Sequence, residues 1–339
     1  MARFAFQNER PEQHEAALPL PAELARAARI LTIRSRREAT GVFAGSYATA
    51  FRGGGMEFHE SRPYVPGDDV RSIDWNAMAR TGEPYVKRFR EERDQLLLLG
   101  LDVSASMLFG SDGRSKIATA MESVALLAAV AGRAGDRVGL LAFDDQVRAA
   151  LEARRGATHT WCVIRSAART AGAASGGTRL DAAIDGLLAL GRQRGVVVLL
   201  SDFGQLGWTK DPASGGVITA RLATLAQRHD LVSIVLHDPA DEILPRAGLV
   251  RLADPERPGS RRVVNTGSAR VRRRYERAWQ ARRNELERSL RAAGSDVLWM
   301  RTDRAPLKIL LHFFEQRRRG RPIGERSRAR QSPPQAGAQ

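Results

Sequence analysis

Five oxygen-bearing side chains stand at three places where a cation could be gripped. Asp102, Ser104 and Ser106 lie in the run Asp102-Val103-Ser104-Ala105-Ser106, Thr178 ends the turn Gly176-Gly177-Thr178, and Asp202 follows Ser201. Oxygen ligands of this kind suit a hard cation, and Mg²⁺ takes octahedral oxygen coordination at about 2.0–2.1 Å while keeping several waters. Because the hydroxyls are neutral and only two acids are nearby, a divalent ion held here stays under-neutralised if the acids act through water, and it then attracts one more carboxylate from outside. That is docking chemistry. Hydrolytic two-metal sites use ions about 3.5–4 Å apart with more bridging carboxylates or a placed general base. No third acid or histidine can be placed at a neighbouring strand end, and there is no Gly-x-x-x-x-Gly-Lys run of the kind that cradles nucleotide phosphates. Plainer uses stay open: Asp102 can cap a loop, Thr178 with Asp181 has the form of a helix capping box, and Asp202 alone is unremarkable.

Such residues need a scaffold that ends several strands at one edge. From Leu96 the chain alternates apolar strand-length runs (Leu96–Asp102, Arg137–Phe143, Val196–Ser201, Leu231–Leu236, Asp296–Met300) with helical periodicity over Lys116–Arg133, Thr160–Thr170, Leu180–Leu190, Val217–Arg228, Ser268–Ala293 and Ala305–Arg317. This rhythm predicts an α/β domain over 95–316 with a doubly wound, mostly parallel, Rossmann-like sheet. Ligands of such sheets sit beyond the carboxyl ends of the strands at the topological switch point. There Leu96–Leu101 delivers Asp102 and Val196–Leu200 delivers Ser201 and Asp202. A hairpin insertion is expected near 245–266, pairing Leu249–Ala253 with Arg262–Asn265 around Pro258-Gly259. Upstream, 1–40 is an N-terminal helical segment (Pro19–Arg37). The accessory segment 41–94 contains a strand at Tyr85–Glu91 and packs on the main domain, with Asp68, Asp69, Arg71, Asp74 and Trp75 as an ion-pair and turn network. Residues 317–339 read as a basic disordered tail.

Composition sets the remaining expectations. With 43% hydrophobic and 27% charged residues the chain reads as a soluble globular protein. No stretch approaches the roughly 18–20 apolar residues of a membrane span, and the first residues have no apolar core of a secretory signal. The single Cys162 excludes an internal disulfide and reads as a small buried hydrophobe, which suits a cytoplasmic location. A net charge of +16 raises the possibility of a nucleic-acid partner. Its distribution points elsewhere: Arg270–Arg283 are interleaved with Tyr275, Ala278, Trp279 and Leu286 as the wet face of a helix, and Arg317–Arg330 run into the tail. Binding to nucleic acid and a metal-dependent phosphohydrolase or nuclease activity are the alternatives to a protein-docking role. His59 has no second histidine near it and reads as structural, Asp144-Asp145 as a strand-end turn, and Trp161 and Trp208 as packing residues.

Asp-x-Ser-x-Ser, a downstream Gly-Thr and a later strand-end Asp together resemble the metal-ion-dependent adhesion site of von Willebrand factor A domains. That resemblance implies that Ser104, Ser106 and Thr178 contact Mg²⁺ (or Mn²⁺ or Ca²⁺) directly or nearly so, and that Asp102 and Asp202 hold it, often through water. The segment Glu57-Phe58-His59, then Arg62-x-Tyr64-x-Pro66-Gly67-Asp68-Asp69-Val70-Arg71-x-Ile73-Asp74-Trp75, then Ala79-Arg80 resembles the signature of the bacterial DUF58 family, over roughly residues 40–315. It implies a von Willebrand factor A-like domain without enzymatic activity, acting as adaptor or partner of a MoxR-type AAA+ ATPase. Many members begin with two membrane helices, and the resemblance here is to the short subgroup without a membrane span.

Overall fold

The computed structural model describes residues 41–51, 56–66, 68–69, 73–91, 95–174, 176–208, 212–253, 255 and 261–320. Helix α1 (Val42–Phe51) comes first. Its Phe43, Tyr47 and Phe51 recur every four residues, so they share one face, and their rings lie 5.6, 5.9 and 5.3 Å from that of Phe314 near the other end of the chain. Strand β1 (Met56–Pro63), the short helix α2 (Trp75–Thr81) and strand β2 (Tyr85–Glu91) follow, with β1 and β2 paired as an antiparallel hairpin. Near the end of β1, Arg62 makes two bonds to the carboxylate of Asp68 in the connection, at 2.7 and 2.6 Å. Asp74 accepts from Ala77 N as the cap of α2 and from the Ser61 hydroxyl. These bonds lie within the hairpin; Arg71, like the expected helix Pro19–Arg37, falls outside the described residues.

The main body runs β3 (Leu96–Asp102), α3 (Lys116–Ala134), β4 (Arg137–Phe143), β5 (Val147–Arg154), α4 (Ala157–Gly172), α5 (Leu180–Leu190), β6 (Val196–Ser201), α6 (Gly204–Trp208), α7 (Pro212–Arg228), β7 (Asp230–His237), α8 (Pro239–Glu242), β8 (Leu249–Ala253), β9 (Arg261–Asn265), α9 (Ala269–Ala292), β10 (Asp296–Arg301) and α10 (Pro306–Gly320). Six strands form one sheet in the order β10-β7-β6-β3-β4-β5, parallel throughout except for β5 at the edge. All of β3 is buried. Its alternate side chains point to opposite faces: Leu97, Leu99 and Leu101 join a core with α1, α3, α4 and α10, and Leu96 and Leu98 join one with α5, α7 and α9. The strand order reverses between β3 and β6, so the two strand ends carrying Asp102 and Asp202 flank the switch point.

Three features differ from the sequence reading. Strand β5 is an unexpected edge strand. Its eight residues are exposed or half-buried and mix Ala with Arg and Glu, so no apolar run announces it. Helix α3 meets the length and mean hydropathy of a membrane span, although no such stretch was expected; it is largely buried inside the protein, where its apolar girth serves the core. Helix α10 continues past Arg317, and that arginine, expected on a solvated tail, is buried. Its guanidinium pairs with Asp230 (2.6 Å) and Asp296 (2.9 Å) and lies 4.8 Å from the Phe51 ring centroid. Cys162 is half-buried. The β8–β9 pairing appears, with Val250 opposite Val264. Pro258-Gly259 and the side chains of His59 and Trp208 are outside what is described.

His229, at the foot of β7, is buried, and desolvation holds its ring below the ordinary histidine value. The unfolded ring takes a proton near pH 6.5, so below that pH the unfolded chain binds more protons than the folded one and stability falls as pH drops. In thermal melts between pH 7.5 and 5.5 the wild type should lose stability relative to His229→Leu as pH falls, whatever the other titrating groups contribute to both; parallel curves would refute the assignment.

Candidate functional site

The end of β3 turns sharply because the Asp102 carboxylate accepts from the backbone N–H of Ser104 at 2.9 Å. Its other oxygen accepts from the Ser201 hydroxyl at 2.5 Å, which ties β3 to β6 across the switch point. The Ser104 and Ser106 hydroxyls lie 3.1 Å apart, and Ser106 sits near enough to Asp202 to help hold its carboxyl down. Asp102, Ser104, Ser106 and Asp202 are therefore gathered in one cluster at the switch point. Asp102 and Ser104 are fully buried.

Thr178 reaches this place through its turn. Ala105 N donates to Gly176 O at 3.0 Å, and Arg179 N to Asp144 O at 2.7 Å. Gln205 closes the turn from the other side: its amide donates to Thr178 O and accepts from Leu180 N. Thr178 is buried, and the cap position of α5 belongs to Arg179, whose guanidinium pairs with Asp181. The capping-box reading of Thr178 and Asp181 is thus not what forms. Asp144, read as a turn residue, is buried and bonds Gln146 N and Arg148.

Two buried carboxylates so close together resist joint ionisation. Burial, then the charge of Asp202, push Asp102 up to about 7, against the bonds from Ser104 and Ser201. Burial also opposes the charge on Asp202, but the Lys116 ammonium and Gly204 N–H outweigh it and keep this carboxyl below the usual range. Lys116, the first residue of α3, is buried with its Nζ 3.2 Å from Asp202 and 2.9 Å from Asp241. Those two acids hold the ammonium above its ordinary value despite desolvation. Phe203 adopts φ of 51°, a left-handed conformation costly for a bulky residue, with its buried ring and a Phe203 N–H bond to Ser201 Oγ holding it there. Strain of this kind sits directly after Asp202.

Arg282 and Arg283 correct the expected wet face of α9. Arg282 is lowered by burial and faces Asp202, Asp241 and Tyr275. Arg283 stacks 4.6 Å from the Trp299 ring centroid and 5.4 Å from that of Trp279. Ser201 and Gln205 join Lys116 and Arg282 as site residues that the motif did not reveal. Ser201 had a signal, as the hydroxyl ending an all-apolar strand. The others reach the site only through tertiary packing.

The donor set fits a hard cation. It offers hydroxyls and carboxylates and no soft ligand, and the strain of two neighbouring acids is what a divalent ion relieves. Among the described residues no group of three or more His, Cys, Asp or Glu forms a metal cage, so any cation here would rest on serine and threonine oxygens as much as on acids.

A family profile described as "Protein of unknown function DUF58" matches residues 60–285. The chain belongs to the DUF58 family. It is similar to uncharacterized proteins of Mycobacterium bovis and Mycobacterium tuberculosis, 35% identical over 301 residues that cover 88% of this chain and 91% of each relative. An uncharacterized protein of Mycobacterium avium is 34% identical over 142 residues, 42% of this chain and 77% of that one. Among solved structures, the conserved hypothetical protein BatB of Bacteroides thetaiotaomicron superposes with a TM-score of 0.42 at 14% identity, covering 66% of this chain and 99% of BatB. An aerotolerance-related membrane protein of Bacteroides fragilis gives 0.40 at 17% identity, over 66% and 98%. Neither likeness adds to the fold described above.

Proposed function

We propose that this DUF58 protein is a non-enzymatic docking module of the von Willebrand factor A type, which captures an acidic residue of a protein partner through a divalent cation. The observation that carries the reading is the clustering of Asp102, Ser104, Ser106 and Asp202 at the switch point, where Ser201 ties Asp102 to the end of β6. An antiparallel edge strand on an otherwise parallel six-stranded sheet supports the fold assignment. In this reading Ser104, Ser106 and Thr178 would hold Mg²⁺, with Asp102 and Asp202 as its anionic partners. When bound, the ion supplies an electrophile for one external carboxylate.

Charge balance supports docking over hydrolysis. The carboxylates of Asp102, Asp202 and Asp241 face the cations Lys116 and Arg282, leaving one negative charge in excess if all are ionised. A divalent ion turns this into one positive charge, which a single carboxylate neutralises. Neither Lys116 nor Arg282 is a base at neutral pH, and no histidine belongs to the cluster as described. Following the family resemblance, a MoxR-type AAA+ ATPase is the partner we put forward.

The test is capture of partner proteins by the immobilised full chain in Mg²⁺ or EDTA, wild type beside Ser104→Ala. Proteins retained in Mg²⁺, with the ATPase among them, should be lost in EDTA and with Ser104→Ala, while the circular dichroism of the variant stays unchanged. Capture that survives EDTA would sink the mechanism.

A further inference from the structure

A cavity of about 940 Å³ opens directly from the oxygen cluster, with Ser106 and Asp202 in its wall. It extends between α9 and the ends of β7 and β10, over a floor that includes Trp279, Trp299 and Leu286. Its volume falls within the roughly 300–1,000 Å³ of ordinary ligand sites. The two indole rings stand 6.2 Å apart, each within 5.7 Å of the His237 ring. Lys116 and Arg282 line the same space, and Arg283 lies against both indoles.

We infer that this cavity receives a large apolar side chain, aromatic above all, one or two residues from the acidic residue of the partner. The inference rests on the docking reading above and adds which peptides the site accepts. Continuity is the first argument. Ser106 and Asp202 belong to both places, so a peptide whose carboxylate meets the oxygen cluster carries its neighbours over the cavity mouth. Side chains two apart on an extended strand share a face at about 6.6–6.8 Å. Composition is the second. Aromatic walls with a few convergent polar groups characterise sites for an apolar ligand body with a polar anchor, and Arg283 offers a planar cation on which an inserted ring can stack. Charge complementarity is the third: with a divalent ion bound, the cluster of three carboxylates, Lys116 and Arg282 carries one positive charge, which favours an acidic peptide and disfavours a basic one.

The experiment uses the full chain and a library of fluorescent nonapeptides with a central Asp and every residue type at the flanking positions, read by anisotropy in Mg²⁺. Peptides with Trp or Phe at one flanking position should bind at least about ten-fold tighter than those with Ala there, as expected from burying one large apolar side chain. Ala278→Trp, an exposed residue of α9 at the cavity wall, should erase that preference and leave the Ala-flanked peptides unaffected. Ser104→Ala should abolish binding of all of them. Mg²⁺-dependent binding that ignores the flanking residue, or a preference that survives Ala278→Trp, overturns the inference and leaves the docking reading standing. No Mg²⁺-dependent binding of any peptide overturns both. Saturable binding of free indole with no peptide preference would make the cavity a small-molecule site and overturn the inference as well.

Discussion

Replacing Lys116 with methionine is expected to cost the protein about 3–5 kcal/mol of unfolding free energy in EDTA, the usual consequence of removing one partner from a buried ion cluster. Only 8% of the Lys116 side chain and 10% of that of Asp202 is exposed, so water replaces little of the lost interaction. Methionine keeps most of the volume, which confines the change to charge. Asp202 then faces Asp241 and Asp102 with Arg282 as the nearby cation. In the docking reading the variant has a second route to stability: a divalent ion meets the same carboxylates from the hydroxyl side. Mg²⁺ at about 100 times its dissociation constant should return about 2.7 kcal/mol. Urea unfolding of both proteins with and without Mg²⁺ measures the two effects. Equal unfolding midpoints for wild type and variant in EDTA would show that the lysine neutralises nothing, and a variant indifferent to Mg²⁺ would make Lys116 a purely structural ion.

The main sheet is legible in the sequence because its strands β3, β4, β6 and β7 are buried on both faces and read as near-continuous apolar runs. Strand β5 carries no such signal, since an edge strand with Arg148, Glu152 and Arg154 satisfies its surroundings by alternation and charge. The same asymmetry governs the site. Asp102, Ser104 and Ser106 share one loop, and Asp202 ends the strand beside it, so local spacing together with strand order brings them together. Lys116 is fourteen residues after Asp102 at the head of an apolar helix, and Arg282 is eighty residues beyond Asp202. Nothing in the spacing separates a lysine or arginine that caps a helix or wets a surface from one folded back against buried acids. Arg282, Arg283 and Arg317 all read as solvent-facing for that reason, and all three are drawn inward by partners that only the tertiary fold supplies.

Ser201→Ala is expected to weaken Mg²⁺ binding by about 10–100-fold, the range typical when a residue that orients a metal-holding group is removed. The hydroxyl does two things at once. It donates to one oxygen of Asp102 and accepts from the backbone N–H of Phe203, the residue in the left-handed conformation after Asp202. One atom therefore sets the orientation of the carboxylate at the end of β3 and the backbone that presents the carboxylate after β6. Without it, a fully buried acceptor and a fully buried donor lose their partner, at about 1–3 kcal/mol for each unsatisfied group. A merely structural role would lower the melting temperature and leave the affinity of the folded protein for Mg²⁺ intact. Calorimetric titration of Mg²⁺ well below the melting temperature separates the two, and Ser201→Thr, which keeps the hydroxyl, should recover most of the affinity. If Ser201→Ala melts earlier but binds Mg²⁺ as the wild type does, the serine holds the switch point together and has no part in positioning Asp102 for a cation.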